Sequence, residues 1–306
     1  MRGLITTWLI HTFFFASLSY QSYAGHYIPA IAHRIWKGNR HLRYEYQHMT
    51  HDLVHIPLAG LAIGNGAIDT EEQIKWFREM AFHNPHGIQI IDEDEYERWE
   101  DVAESCVRDA RECNDEENEL EKEFICQKAS NCEGEFFKPL MQQNISYYDI
   151  TKPCIGPSCQ GNIKPITTFL NLDTTKETLG VPSNVTWEEC GGLGQTWSDV
   201  DRVIDFAPYV SELLNDGIPV LIYAGDLDYI CNYFGNRAVS LKLEWDYGDN
   251  FRSVDDYDWN DGGGLARSSN GLTFLQVFDA GHMVPSDQPE QSLDMIRQFL
   301  KYGELT

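Results

Sequence analysis

The sequence predicts an α/β protein, with a mostly parallel central sheet, helices packed on it and one long helical insertion. Three observations predict it. Leu58 to Asn65, Pro219 to Asp226 and Thr273 to Ala280 are near-continuous apolar runs near Gly or Asp, which is how strands buried on both faces of a parallel sheet read. Segments with helical spacing lie between or after these runs. From about Thr70 to Asn184 the chain turns acidic, cysteine-bearing and helix-rich, with no obvious sheet strand. Strands alternating with helices favour a layered α/β architecture.

In chain order, the apolar run that ends at Ser22 has the character of a strand, and Ile28 to Trp36 follows it as a helix. The Leu58 strand comes next. The Thr70 to Asn184 region reads as a cap inserted on the core, and its acidic run from Asp92 to Glu123 as a solvated helical face. Val203 to Leu214 is a helix leading into the Pro219 strand. Gly262-Gly263-Gly264 marks a turn between strands. After the Thr273 strand, Gln288 to Tyr302 places apolar residues at helical intervals and closes the fold.

Composition excludes some functions. The 306 residues are 42% hydrophobic, enough for a buried core and too much for a disordered chain. Asp and Glu total 48 against 23 Lys and Arg, a formal net charge of -25, so the electrostatic footprint of a nucleic-acid binder is absent. Six of eight cysteines fall between Cys106 and Cys159, and two sequons start at Asn144 and Asn184. Both features suit disulfide formation and glycosylation in the secretory pathway, with a secreted or a vacuolar or lysosomal destination. Zinc is the weaker reading of the cysteines, since none form a C-x-x-C pair and no His stands among them at finger spacing. His51 and His55 sit at i and i+4, but Asp52 stands where a metalloprotease needs Glu, so they read as surface or loop histidines.

The run from Met1 to Leu18 has the early charge and apolar stretch of a signal peptide, yet it is too short and too interrupted for a stable membrane span. It is equally the strand that must lead into Ser22, and the two readings exclude each other.

Ser22 lies in Gln21-Ser22-Tyr23-Ala24-Gly25, between a candidate strand and a candidate helix. A nucleophile elbow has this context, in which small neighbours let a strained turn expose the hydroxyl. A serine before a helix is otherwise an N-cap. Asp228 and His282 each follow a strand, where α/β sheets carry function. Their order with Ser22 is Ser, Asp, His, the chain order of the α/β-hydrolase triad.

Four segments then carry a specific resemblance. Ser22 to Pro29 (SYAGHYIP), Ile63 to Gly66 (IGNG), Tyr223 to Asn232 (YAGDLDYICN) and Gly281 to Pro285 (GHMVP) resemble signature segments of serine carboxypeptidases, in family order across residues 22 to 306. The resemblance implies an α/β-hydrolase with a disulfide-bearing helical cap at about 70–184. It makes Ser22 the nucleophile, His282 the base and Asp228 the group that orients the imidazole, with Asp226 the near alternative to Asp228. It implies a hydrolase that removes C-terminal residues from peptides having a free C-terminus, through an acyl-enzyme and with no metal or cofactor. Gln21, Tyr23, Cys231 and Met283 match substrate-binding positions, Tyr23 through its backbone N–H as an oxyanion donor; Cys231 reads equally as a small buried hydrophobe. Cap cysteines are expected to pair as Cys106 with Cys132, Cys113 with Cys126, and Cys154 with Cys159.

The sequence also departs from the family pattern. Tyr20-Gln21 replaces Gly-Glu before the nucleophile, and no Gly-Gly-Pro-Gly segment precedes Ser22 to supply the second oxyanion donor. Residues 1–20 are therefore expected to be a non-family segment, residues 21–306 the hydrolase domain with the N-terminal part of its sheet missing, and Cys190 to lack its usual partner. A fragment or pseudoenzyme, and an acyltransferase or esterase using the same triad, are the alternative functions.

Overall fold

The computed structural model describes residues 16–45, 54–156, 159, 163–188 and 198–306. Cys190, His51, Asp52 and the first fifteen residues lie outside that set, and so does the side chain of Gln21.

Six strands form the main sheet, in the order β1 (Ala16–Ser22), β2 (Leu58–Gly66), β5 (Val220–Gly225), β8 (Leu272–Val277), β7 (Gly264–Ser269), β6 (Tyr257–Trp259). The first four are parallel and the last two antiparallel. The three apolar islands become β2, β5 and β8, and the end of the N-terminal run becomes β1. A separate two-stranded hairpin pairs β3 (Ile145–Ser146) with β4 (Asp149–Pro153). It lies in the stretch read as having no obvious sheet strand: β3 has two residues and β4, DITKP, holds one apolar aliphatic residue, so neither leaves a periodic signal.

Alternation along the strands sorts side chains to the two faces. Leu61, Ile63, Val220, Ile222, Leu272 and Phe274 join one core, against Ala24, Ile28, Ala32 and Trp36 of helix α1 (Ala24–Glu45). Ala62, Leu221, Tyr223, Leu275 and Val277 join a second core on the opposite face. The spacing of four in the α1 set is one stripe of a helix.

Between β2 and β5, which are neighbours in the sheet, the chain makes its long excursion. It passes through α2 (Thr70–Gln73), a 3-10 turn (Ile74–Trp76) and α3 (Phe77–Phe82) to α4 (Glu93–Asp115), α5 (Glu119–Cys132) and α6 (Gly134–Gln143). Asp92 caps α4 by accepting from the Glu95 N–H at 2.9 Å, and Glu93, Asp94 and Glu95 oppose the positive end of the helix dipole. The acidic face is solvated as expected, but Trp99, Ala103, Cys106, Ala110 and Cys113 form a buried stripe on its other side. That stripe carries the two nested disulfides, Cys106–Cys132 and Cys113–Cys126, which tie α4 to α5. Cys154–Cys159 closes a short loop after β4. All three pairs match the expected pattern. Asn144 and Asn184 are exposed.

Further on come α7 (Lys164–Leu170), α8 (Asp173–Leu179), α9 (Asp199–Val203) and α10 (Ala207–Asn215). The helix expected over Val203 to Leu214 is divided, because Pro208 cannot donate a backbone bond and Asp205 starts a new helix by accepting from the Ala207 N–H at 2.7 Å. Beyond β5 lie α11 (Tyr233–Lys242), α12 (Gly248–Ser253), α13 (Val284–Asp287) and α14 (Pro289–Tyr302), whose Met295 and Phe299 cover the second core. Among the described residues, no helix is long and apolar enough to cross a membrane.

Candidate active site

Ser22 is the last residue of β1, and α1 begins two residues later. Its φ is +66°, a left-handed conformation that non-glycine residues seldom adopt and that persists where surrounding structure imposes it. Two neighbours impose it. The Ser22 carbonyl accepts from the Ala67 N–H at 3.1 Å, and Gly25 lies so close to that segment that a Cβ there would sit 2.2 Å from the Ala67 carbonyl oxygen. The sequence SYAG thus makes a sharp strand-to-helix turn with the Ser22 side chain half-buried.

Asp228 follows β5 and is fully buried; His282 follows β8 and is 4% exposed. Their hydrogen bond, His282 Nδ1 to Asp228 Oδ2, is 2.8 Å long. Ser22 ends β1, and Asp228 and His282 follow β5 and β8, so all three stand at the carboxyl ends of parallel strands. Asp228 Oδ2 also accepts from Asn65 Nδ2 at 2.7 Å. Asp226 turns elsewhere and meets His86 at 3.1 Å; burial pushes its carboxyl pKa up, and the His86 contact partly offsets this. Of the two aspartates, Asp228 contacts His282 and Asp226 contacts His86.

The β3–β4 hairpin braces both loops. The His282 N–H donates to the Tyr148 carbonyl at 2.7 Å, the Tyr229 N–H to the Tyr147 carbonyl at 3.1 Å, and the Ile150 N–H to the Leu227 carbonyl at 3.0 Å. The Tyr148 and His282 rings lie 4.9 Å apart.

Two cavities flank the constellation. One of about 220 Å³ is lined by Ser22, Tyr23, Phe77, Glu133, Phe137 and Cys231 among others. The other, of about 340 Å³, has His282, Met283, Tyr148 and Ile155 in its walls. Cys231 and Met283 thus border separate cavities, and Met283 is 53% exposed while Cys231 is buried. The Tyr23 hydroxyl donates to Asp201 at 2.6 Å, and its ring stacks on His26 at 4.6 Å. Burial and Asp201 raise the Tyr23 pKa above its ordinary value, so its side chain stays neutral.

Asp228, Cys231 and His282 offer ligand atoms within 4.8 Å of one another. Metal binding is disfavoured by their chemistry: His282 Nδ1 is engaged by Asp228, and burial, with the nearby Asp228 charge, holds the Cys231 thiol well above its usual range, hence protonated.

A profile of the serine carboxypeptidase family matches residues 11–302. The chain belongs to the serine carboxypeptidase family. It is 34% identical to carboxypeptidase Y of Komagataella phaffii over 294 residues, 92% of this chain and 51% of the relative. Against serine carboxypeptidase-like 49 of Arabidopsis thaliana the identity is 32% over 288 residues, 92% of this chain and 52% of the relative. The chain therefore spans about half the length of the curated relatives it matches. Its fold is similar to that of Kex1(delta)p, a prohormone-processing carboxypeptidase from Saccharomyces cerevisiae, with a TM-score of 0.70, 22% identity, and coverage of 93% of this chain and 61% of that one.

Sequence reasoning quoted Asn65 within a family segment without giving it a role, and it missed His86, Glu133 and the bracing hairpin. Of these only Asn65 had a usable signal, as a polar residue inside an otherwise apolar strand.

Proposed function

We propose that the chain is the catalytic part of a serine carboxypeptidase, with Ser22 as nucleophile, His282 as general base and Asp228 as its orienting carboxylate. The buried 2.8 Å bond between His282 and Asp228 carries this reading. A carboxylate on Nδ1 fixes the imidazole with its proton there and leaves Nε2 free to accept one. In the proposed reaction the Ser22 Oγ attacks the carbonyl carbon of the last peptide bond while His282 takes its proton. The C–N bond then breaks, His282 returns the proton to the departing amine, and the acyl group remains on Ser22. Water releases the acyl group with His282 again as base. The strained φ of Ser22 supports the nucleophile assignment, because it aims the side chain away from the regular strand path. The Tyr23 backbone N–H is the proposed oxyanion donor, and Gln21 and Met283 the proposed contacts to the terminal residue. The three disulfides support maturation in the secretory pathway.

The purified chain is expected to release the last residue from a blocked dipeptide with a free carboxylate and to leave the C-terminal amide intact. Ser22→Ala is expected to lower kcat by about 10⁴-fold or more. Equal cleavage of acid and amide, or turnover surviving in Ser22→Ala, contradicts the proposal.

A further inference from the structure

Glu133, partly buried, stands out among the acids near Ser22 because no hydrogen bond or ion pair occupies its side chain among the described residues. It joins α5 to α6 and follows Cys132, whose disulfide to Cys106 anchors its backbone. Its side chain borders the 220 Å³ cavity together with Ser22, between the apolar walls of Phe77, Phe137 and Ile230. Burial pushes its carboxyl pKa up, opposed by the charge of Arg202. A partly buried carboxylate without a side-chain partner beside apolar walls carries a desolvation cost, and a cation brought against it offsets that cost.

The triad chemistry says which part of a peptide enters this cavity. His282 hands its proton to the departing amine, so the leaving C-terminal residue lies on the His282 side, where the larger cavity is. The residue that becomes acylated to Ser22 lies on the opposite side, at the cavity holding Glu133. We infer that this cavity takes a cationic side chain, lysine or arginine, on the residue preceding the scissile bond, with Glu133 as its counter-ion.

The inference rests on the triad reading above and adds the substrate class. Arg202 also borders the cavity, but it is exposed, where water screens its charge. The other ionisable groups in the walls, Tyr23 and Cys231, are held neutral by their raised pKa values. A formal net charge of -25 further favours the approach of cationic peptides.

The test compares two blocked dipeptides that differ only at the first residue, lysine against norleucine, which has a similar chain without the charge. The lysine-to-norleucine ratio of kcat/KM is expected to exceed one at pH 7 and to fall at least about tenfold in Glu133→Gln, as befits loss of one partner of a buried charge pair. It is also expected to fall in the unmodified chain as pH drops and the Glu133 carboxyl takes up a proton, with the norleucine substrate as internal reference for the triad's own titration. An unchanged ratio in Glu133→Gln overturns the inference. Should neither peptide be cleaved, the triad reading fails first, and binding of the lysine peptide to Ser22→Ala and to Ser22→Ala/Glu133→Gln still decides the cavity. At least about tenfold weaker binding to the double variant upholds it. Equal affinity, or no binding to Ser22→Ala, overturns it.

Discussion

Asp228→Asn is expected to lower kcat/KM by about 10⁴-fold while the protein stays folded, because the replacement is nearly isosteric and damages only the proton arrangement. Asp228 Oδ2 accepts from both His282 Nδ1 and Asn65 Nδ2, at 2.8 and 2.7 Å. An amide cannot accept two such bonds and also balance the charge of an imidazolium. An amide nitrogen turned towards His282 forces the imidazole proton onto Nε2, where it blocks proton uptake from Ser22. If the amide oxygen keeps that place, the imidazolium formed during attack goes without its countercharge. Asp226→Asn is the internal control: its carboxylate meets His86, not His282, so its effect on turnover is expected to stay within about threefold. Steady-state kinetics on one blocked dipeptide, with thermal denaturation to confirm folding, reads both variants. Comparable losses in the two would mean that contact with His282 does not distinguish the aspartates.

Gly25→Ala is the second large effect, and it acts on structure before chemistry. The added Cβ would lie 2.2, 2.6 and 2.7 Å from the Ala67 carbonyl oxygen, carbonyl carbon and nitrogen, all of them backbone atoms. Rotating a side chain cannot relieve that clash. The Ala67 segment is also held on both sides, donating to the Ser22 carbonyl at 3.1 Å and accepting from His26 Nδ1 at 2.6 Å. Relief therefore requires α1 to move off β2, and Ser22 moves with it. Overpacking of this kind costs about 1–3 kcal/mol, and a fixed backbone places it at the upper end. A displacement of about 1 Å at the nucleophile costs about 100-fold in rate. Denaturant midpoints and kcat/KM are expected to fall together; wild-type values for both would show that the elbow does not depend on this close approach.

The parts of the fold legible in the sequence are those whose physics is local or repetitive. β2, β5 and β8 are buried on both faces, so they read as apolar runs, and α14 shows its stripe directly. The antiparallel strands β6 and β7 went unread for the opposite reason: both are half polar, and β6 has only three residues. Even so, Asn270-Gly271, both with positive φ, make a two-residue turn between β7 and β8 of the kind a hairpin favours. The division between α9 and α10 was visible only as Pro208 with Asp205 before it, a pair whose meaning depends on which residue caps the new helix.

The candidate site divides in the same way. Ser22, Asp228 and His282 could be named from segment order and resemblance, but the separate roles of Asp226 and Asp228 depend on which carboxylate meets which histidine. That is a tertiary fact, as are the contact of Asn65 with Asp228 and the bracing of both loops by the β3–β4 hairpin. Glu133 was one acid among 48 Asp and Glu residues until the fold set it in the wall of one cavity with Ser22. The disulfide pairing came from resemblance alone, since six cysteines allow 15 connectivities.

The nucleophile is the centre of the account, and covalent labelling reads it directly. The folded chain is to be treated with a fluorophosphonate, digested and mapped. The expected result is a single phosphonylated residue, Ser22, whose labelling is lost on prior denaturation and greatly slowed in His282→Ala, because the reagent requires a serine activated by its base. Labelling on a different serine, or a native chain that resists the reagent at Ser22, would contradict the assignment.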